Sequence, residues 1–287
     1  MSLKRLLERF GMSRQYGRKY ELQIGSDSQS VVINNLQISF FVDKTITDEP
    51  NKSKIEIYNL NLENRNKLIN KEFKKVVLFA GYDEPRLIFA GEINNAYTTR
   101  KDLDYITTLE CGDGQTDYAK TKIYTTLKAG TKESDVVKNC LDKMKKTNKG
   151  AIDLPKEKTY QRAKVLCGKP KEFLQIIAKN NNANWHILDG NLNILPKDKV
   201  LSNTDGFVLS LDTGMIGSPE ISDDGLKVSC LLNPKLNIGG LVRIKSILSE
   251  YDGDYKIIKL SHSGDFLGDT WKTDLTVQNG KFKKVEK

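Results

Sequence analysis

The sequence predicts a mainly β protein in which two similar β-units flank a small α+β unit. Residues 54–114 follow the order strand, loop, strand, hairpin, strand, turn, strand, and residues 226–280 follow the same order. An asparagine stands after the first strand of each unit, at Asn59 and Asn233. Between the two, residues 116–200 place apolar side chains at helical spacing. Amino-acid identity between the β-units is slight, so the predicted repeat depends on the order of strands and turns.

These patterns divide the chain into four segments. They are an N-terminal helical extension at residues 1–19, a first β-barrel at 20–115, a small α+β domain at 116–200 and a second β-barrel at 201–287. A chain of 287 residues is long enough for each domain to bury its own core. A sheet of about six strands avoids open edges by closing into a barrel or by pairing with a neighbour. Whether each barrel is contiguous stays open, because strands could be exchanged across the middle unit.

Local patterns predict individual elements of the first and middle units. Alternation over residues 30–46 predicts one continuous strand. Every second side chain of its first part falls on one face: Val32, Asn34, Leu36, Ile38 and Phe40. Residues 64–71 predict a short helix.

In the middle unit, the apolar spacing predicts two helices and a hairpin. The first helix begins at Thr131 as its N-cap, with Ser134 as the alternative cap. The second spans residues 170–180, and Asp189-Gly190 predicts a two-residue hairpin turn. The apolar stripes of both helices indicate a packed core rather than a cofactor site.

The positive charge of the chain is concentrated in its middle third. The net charge is +9, and residues 116–200 alone carry 18 basic against 9 acidic side chains. Residues 1–115 are almost neutral, with 17 basic and 16 acidic side chains, and so are residues 201–287, with 11 basic and 12 acidic side chains. A solvated lysine-rich surface would explain this, as would a surface that faces nucleic acid or an acidic protein. Arg162 is the single arginine of the middle third, so sequence-specific DNA recognition is not expected.

Cysteine usage and hydropathy exclude several classes of protein. The four cysteines are widely scattered, without a C-x-x-C pair or a histidine at ligand spacing, which predicts buried free thiols rather than a zinc site or a disulfide scaffold. No apolar run approaches the ~20 residues of a membrane helix. The N-terminal segment lacks the apolar core of a signal peptide. We therefore expect no membrane anchor, and residence in the cytoplasm or in a particle assembled there.

No set of residues has the spacing of a catalytic or ligand-binding motif. The histidines are His186 and His262, and the members of the Ser261-His262-Ser263-Gly264-Asp265 run are too close in sequence to form a triad. Cys111-Gly112-Asp113-Gly114 lacks the continuation of a phosphate-binding loop, and the Asp-Gly turns lack calcium-loop spacing. No carboxylate pair stands out as a glycosidase dyad. We therefore predict a non-enzymatic protein with no catalytic residues, no cofactor and no metal site.

Several segments together carry a family resemblance. In the C-terminal third they are residues 214–219, 225–246 and 252–277, which include an LLNP corner and a Y-K-I…H-S-G-D…W hairpin. Earlier segments are KIEIYNL, FAGY, IFAGEI, Ala129-Gly130-Thr131 and NWHILDGNLNILP. In this order, over most of residues 20–280, they resemble phage baseplate hub proteins of the late-control D group, which belong to contractile tails.

The resemblance implies a structural protein with two tail-tube-like barrels in each subunit. Three subunits would form a ring of six barrels that adapts a six-fold tail tube to a three-fold central spike. It implies as partners two further copies of the chain, the spike, a tail tube or tube-initiator protein, the tape-measure protein and other baseplate proteins. The location would be the tail baseplate of a virion assembled in the host cytoplasm. Tape measure and DNA would pass through the lumen, so we expect the lysine-rich middle unit to face outward.

Two other functions stay open. A non-catalytic nucleic-acid-binding protein would use the basic middle unit and would bind with steep salt dependence. A cell-wall-degrading enzyme of a tail tip would need an acid/base pair or a metal set, which the sequence does not show. The N-terminal segment (residues 1–19), with apolar residues at helical spacing, could dock on a neighbouring tail protein or cover its own barrel.

Overall fold

The chain folds into a mainly β structure with a few short helices, which confirms the predicted fold class. A computed structural model describes residues 16–47, 50–114, 117, 121–201 and 206–285. The greater part of the predicted N-terminal helix, residues 1–15, lies outside the described residues. Among the described helices, none combines the length and the apolar content that crossing a bilayer requires.

The first β-unit consists of β1 (Arg18–Gly25), β2 (Ser30–Ile33), β3 (Ile38–Thr45), β4 (Lys52–Tyr58), α1 (Leu62–Ile69), β5 (Lys75–Tyr82), β6 (Arg86–Lys101) and β7 (Asp104–Gly112). The middle unit consists of β8 (Ile123–Leu127), α2 (Glu133–Lys143), β9 (Asn148–Ile152), β10 (Lys164–Gly168), α3 (Pro170–Asn180), β11 (Ala183–Leu188), β12 (Asn191–Pro196) and β13 (Lys199–Val200). The second β-unit consists of β14 (Phe207–Leu209), β15 (Met215–Ser222), β16 (Gly225–Leu231), β17 (Leu241–Ile244), β18 (Gly253–Asp265), β19 (Trp271–Asn279) and β20 (Lys283–Lys284). Single 3-10 turns span Leu211–Thr213 and Ser249–Tyr251.

One sheet of 13 strands runs through both β-units. Its order is β15-β16-β19-β18-β3-β4-β7-β6-β5-β1-β2, with β17 paired to β18 and β14 paired to β17. The first unit therefore has the order β3-β4-β7-β6-β5-β1, and the second has the matching order β15-β16-β19-β18-β17-β14. The last pair differs, because β1 is antiparallel to β5 whereas β14 is parallel to β17. The repeat that strand order predicts is present in the sheet.

A β-bulge at the same place in each unit fixes which residues correspond. The register of β6 against β7 shifts between Ile93 and Asn95. The register of β18 against β19 shifts between Ile257 and Lys259. A bulge adds one residue to one strand of a pair and strengthens the local twist. Asn95 in the first unit is therefore the counterpart of Lys259 in the second.

Buried apolar side chains form three main clusters. The first fills the inner face of the first β-unit and also contains Leu232 and Trp271 from the second. Trp271 packs edge to face on Phe40, with ring centroids 5.3 Å apart. The second cluster lies between the two middle helices and strands β11 and β12, and the third fills the inner face of the second β-unit. The two β-units are thus connected through packing as well as through the sheet.

Some local predictions are wrong. The strand expected over residues 30–46 is two strands, β2 and β3, because the chain bends between Ile33 and Ile38. Val32 is consequently exposed, although it was expected on the same face as the buried Phe40. Strand β1 begins at Arg18, inside the segment that was expected to be a helical extension.

The first helix of the middle unit is capped differently from the prediction. Its N-cap is Lys132, and neither Thr131 nor Ser134 fills that position. Asp135 accepts a hydrogen bond from the Lys132 backbone N at 2.9 Å, so a carboxylate inside the first turn takes over the capping role. The predicted Asp189-Gly190 turn is confirmed, and both residues have the positive φ that a type I′ turn requires.

A buried ion pair joins the first β-unit to the middle unit. Lys44, at the end of β3, donates from Nζ to both carboxylate oxygens of Asp189 in the β11–β12 turn, at 3.1 and 2.9 Å. Asn51 connects the same units, because its Oδ1 accepts from Thr45 N at 3.0 Å and its Nδ2 donates to Ile187 O at 2.8 Å. Lys44 and Asn51 are almost completely buried, so these bonds fix where the turn sits on the sheet.

Asp113 adds a second carboxyl group to this junction. Its side chain is buried, and its Oδ1 accepts from the backbone N of Gly190 at 3.0 Å. Burial raises the pKa of Asp113 to about 6, and the negative charge of Asp189 adds to the rise, although the Gly190 N–H opposes it. The folded protein therefore binds a proton at Asp113 more tightly than the unfolded chain does.

We predict that Asp113→Asn stabilises the protein at neutral pH but not in acid. Because the folded-state pKa is raised, the contribution of Asp113 to stability is complete below the ordinary pKa of an aspartate and is lost as the pH rises through about 6. Asparagine removes the cost of ionisation, so the free energy of unfolding should rise by about 2 kcal/mol near pH 7.5. Denaturant unfolding of both proteins between about pH 4 and about pH 7.5 measures the difference.

The matched control is Asp142→Asn, on the exposed side of α2. Its effect on the free energy of unfolding should be small at every pH. A difference between Asp113→Asn and the parent protein that does not grow with pH would contradict the assignment of the titration to Asp113.

Candidate functional site

The sheet presents one continuous polar face that crosses from the second β-unit to the first. Side chains directly opposite each other on paired strands share a face. One row across the sheet consists of Ser229, Asp274, Ser261, Asp43 and Lys52. The adjacent row consists of Lys272, Ser263, Phe41, Lys54 and Glu110. The opposite face of the same strands carries the two apolar cores.

The face is continuous because β3 and β18 pair through their backbones. Residues 259–265 of β18 run antiparallel to residues 39–45 of β3. The first part of β18, residues 253–256, pairs with β17 instead. At the centre of the junction Val42 lies opposite His262, and both side chains are buried. This junction joins the two equivalent units edge to edge within a single chain.

Charges on the polar face nearly cancel. In the strands from β15 to β4, the exposed and half-buried charges of this face are five lysines and five carboxylates: Lys52, Lys54, Lys227, Lys259, Lys272, Asp43, Glu56, Glu220, Asp265 and Asp274. A surface with a strong net charge would attract or repel a polyanion over a Debye length. A surface with balanced charge does neither, so this face can contact a polyanion without holding it.

Several of these charges pair with each other. Lys54 Nζ lies 2.6 Å from Glu56 Oε1, and Lys272 Nζ lies 2.9 Å from Asp274 Oδ2. The hydrogen bond from Lys54 lowers the pKa of Glu56, and that carboxylate in turn raises the pKa of Lys54. A shallow cavity of about 450 Å³ lies on this face around Lys259. Exposed ion pairs contribute little to stability, so their effect is to keep neighbouring charges neutralised.

The residues of the Ser261–Asp265 run do not converge. Ser261 and Ser263 lie on the polar face, whereas His262 lies on the buried face with its Nδ1 2.8 Å from Thr273 Oγ1. Burial lowers the pKa of His262 to about 3, and the nearby positive charge of Lys44 adds to the effect. Asp265 Oδ1 accepts from two backbone N–H groups of the turn that follows, at 3.2 and 3.0 Å. The run therefore forms a strand end and a turn.

His186 lies in a different buried region. It is completely buried, and neither ring nitrogen has a hydrogen-bond partner among the described residues. Burial lowers its pKa to about 3, and the charge of Lys256 contributes. Lys256 is itself buried and donates to the Pro196 carbonyl at 3.0 Å, and burial lowers its pKa to about 8. Both groups lie inside packed layers between the middle unit and the second β-unit.

The cysteines are separate from each other and from the histidines. Cys111, Cys140 and Cys230 are buried free thiols, whereas Cys167 on β10 is exposed, so the prediction of buried thiols is wrong for Cys167. Burial raises the pKa of both Cys140 and Cys230 to about 12. Within the part of the chain that the structure describes, no three His, Cys, Asp or Glu side chains are grouped as metal ligands.

Most lysines of the middle unit that the structure describes are solvent-exposed. They include Lys122, Lys128, Lys132, Lys138, Lys143, Lys145, Lys149, Lys156, Lys158 and Lys171. Lys146 forms an ion pair with Glu92 of β6. The exposure is compatible with a solvated surface and with a surface that faces an acidic partner.

A cavity of about 1030 Å³ opens where the three units meet. Its lining includes Arg86 of β6, Asn193 of β12 and Phe207 of β14. Asn193 Oδ1 accepts from Ala151 N at 2.9 Å, and Asp189, which also borders the cavity, is held by Lys44. The cavity is a crevice between packed units, and Asn193 and Asp189 in its lining already hold segments of the chain together.

The sequence contains the signal for the polar face, but its rows cannot be assembled from the sequence. In β3, Phe41 and Asp43 alternate with Val42 and Lys44, which indicates two different faces. Alternation does not show which strands lie beside β3, and β18 is more than 200 residues away in the chain. The sequence alone therefore does not reveal the polar face, because the face depends on the pairing of β3 with β18.

Comparison with solved structures shows a shared fold at low identity. The 43 kDa tail protein of prophage MuSo2 from Shewanella oneidensis has a TM-score of 0.66 and 12% identity, and the match covers 92% of this chain and 98% of that one. A tail protein from Neisseria meningitidis MC58 has a TM-score of 0.61 and 11% identity, with 92% and 97% covered. A component of the type VI secretion system from E. coli has a TM-score of 0.62 and 12% identity, with 91% and 78% covered.

Comparison with family models shows the family. No curated protein matches the chain. The model described as Baseplate hub gp41 matches residues 19–264, which include both β-units and the middle unit. Because this match covers most of the chain, the chain belongs to the Baseplate hub gp41 family.

Proposed function

We propose that three copies of this chain form a closed ring that joins the tail tube to the central spike in the baseplate of a contractile phage tail. The family to which the chain belongs is described as a baseplate hub, which supports a location in the baseplate. The β3–β18 junction is the observation that carries the ring, because it joins two equivalent units edge to edge in one chain. Three chains would then present six such units, which reconciles a six-fold tube with a three-fold spike.

The polar face of the sheet lines the lumen of this ring. Its opposite face is occupied by the two cores, so the polar face is the one left for contact with passing molecules. The near balance of its charges lets the tape-measure protein and DNA pass without being held. The exposed lysines of the middle unit face outward, towards other baseplate proteins or solvent.

The function in this proposal is mechanical and non-enzymatic. The partners are the spike, the tail tube or a tube-initiator protein, the tape-measure protein and the neighbouring baseplate proteins, in a virion assembled in the host cytoplasm. The two histidines are buried, and the polar residues of the sheet face form ion pairs and hydrogen bonds with their neighbours. These features favour a scaffold over a reaction centre.

We expect the full chain to form a trimer in solution. Light scattering coupled to size exclusion should give a mass three times the 32.4 kDa of one chain at high protein concentration. Negative-stain electron microscopy should show rings with a central opening. A monomer at every accessible concentration, or a closed dimer, would contradict the ring.

We expect weak binding of the trimer to duplex DNA, and the binding should disappear with modest added salt. Most described lysines of the middle unit are exposed to competing salt, and Arg162 is its single arginine. Gel shift at several salt concentrations measures this, with the exposed pair Lys156→Ala and Lys158→Ala as the variant. Tight binding that survives physiological salt and is lost in this variant would favour the nucleic-acid-binding alternative.

A further inference from the structure

Equivalent half-strands of the two β-units have different neighbours. Beyond its bulge, the second half of β18 (residues 259–265) pairs with β3. The corresponding half of β6 (residues 95–101) pairs with β7 on one side, and no described strand pairs with its other side. One half-strand thus completes a junction, whereas its counterpart has an open edge.

A hydrogen bond at the same position in both units supports this correspondence. Thr98 Oγ1 lies 3.1 Å from Thr107 Oγ1, and His262 Nδ1 lies 2.8 Å from Thr273 Oγ1. Thr98 and His262 each lie three residues after the first paired residue beyond the bulge. The equivalence therefore extends into the half-strand whose edge is open.

The counterpart of β3 is β15, and it also has an open outer edge among the described residues. β15 pairs with β16 as β3 pairs with β4. Tracing the register from β15 through β16 to β19, and from β3 through β4 to β7, makes Ile221 the counterpart of Val42. Both face the core side of their strands.

The burial of these two counterparts is opposite. Val42, at the centre of the internal junction, is 0% exposed, whereas Ile221 is 78% exposed. A strand edge whose backbone groups are unpaired is a template for pairing with another chain, and proteins usually cover or charge such an edge. The exposure of Ile221 therefore marks the position where a pairing strand is missing from the single chain.

We propose that residues 95–101 of β6 pair antiparallel with β15 of a second copy of the chain, in the register of the internal junction. Tyr97 would lie opposite Ser222 of the second copy, Thr98 opposite Ile221 and Thr99 opposite Glu220. This inference rests on the proposed ring and specifies its seam.

Charge and geometry favour this partner over an unrelated protein. The β6 edge ends in Lys101, and the β15 edge carries Glu220. In the proposed register Lys101 lies diagonally from Glu220 on the polar face, within reach of a long side chain. The two edges lie at opposite ends of the row β15-β16-β19-β18-β3-β4-β7-β6, so the contact is head to tail and closes into a ring.

Engineered disulfides test the register. In full-length protein with the exposed Cys167 changed to Ser, the pair Tyr97→Cys and Ser222→Cys places two sulfurs on one face across the seam, at a separation that a disulfide spans. Mild oxidation should give covalent dimers and trimers on a non-reducing gel, and reductant should reverse them. The control pair Thr98→Cys and Ser222→Cys directs the two sulfurs to opposite faces and should stay unlinked.

The outcomes distinguish a failure of the proposed seam from a failure of the proposed ring. A trimer by light scattering whose 97/222 pair links no better than the 98/222 control would overturn the seam and leave the ring standing. A protein that is monomeric before oxidation would overturn the ring, and the seam with it.

A charge at Ile221 gives a test without cysteines. Ile221→Asp should abolish the trimer while leaving the circular dichroism spectrum of the folded chain unchanged, because Ile221 is exposed in the single chain. The matched control is Val165→Asp, which introduces the same charge at a β-branched position of β10 that is 66% exposed. Loss of the trimer in both variants, or in neither, would contradict the assignment of the seam to β15.

Discussion

The backbone pairing of β3 with β18 is the contact on which the rest of the structure depends. Because side chains alternate along a strand, a slip of one residue would move Val42 out of the core and bring Asp43 into it. The same slip would turn Lys44 away from Asp189 and leave that carboxylate without its buried partner. A single register therefore determines the polar face, the two cores and the position of the middle unit.

Several buried polar groups lie where the units meet. Lys44 and Asn51 hold the β11–β12 hairpin against the first β-unit, and Lys256 donates to the chain that leaves β12. Such groups contribute little net stability once the cost of desolvation is counted, but they penalise every other arrangement strongly. Their placement at the contacts between units suits a protein whose job is to keep its parts in a fixed orientation.

The distribution of charge separates two surfaces with different tasks. The continuous sheet face has nearly balanced and partly paired charges, whereas residues 116–200 carry a net charge of +9, and most of their described lysines are exposed. In the ring that we propose, a polyanion passes through the lumen and neighbouring proteins bind from outside. Confining the excess charge to the middle unit keeps long-range attraction away from the sheet face.

The sequence by itself determined the fold class, the internal repeat, the second helix of the middle unit and the Asp189-Gly190 turn, because periodicity and turn chemistry are local properties. It also carried the resemblance to baseplate hubs. Local alternation over residues 30–46 was misleading, since it does not show where a chain bends. Only the tertiary structure decided that β18 pairs with β3, that Lys44 is buried against a carboxylate 145 residues away, and that Ile221 is left exposed at an open edge. The physical reason is that alternation assigns side chains to the faces of a strand, whereas the neighbour of each edge is set by the free energy of long-range pairing and burial.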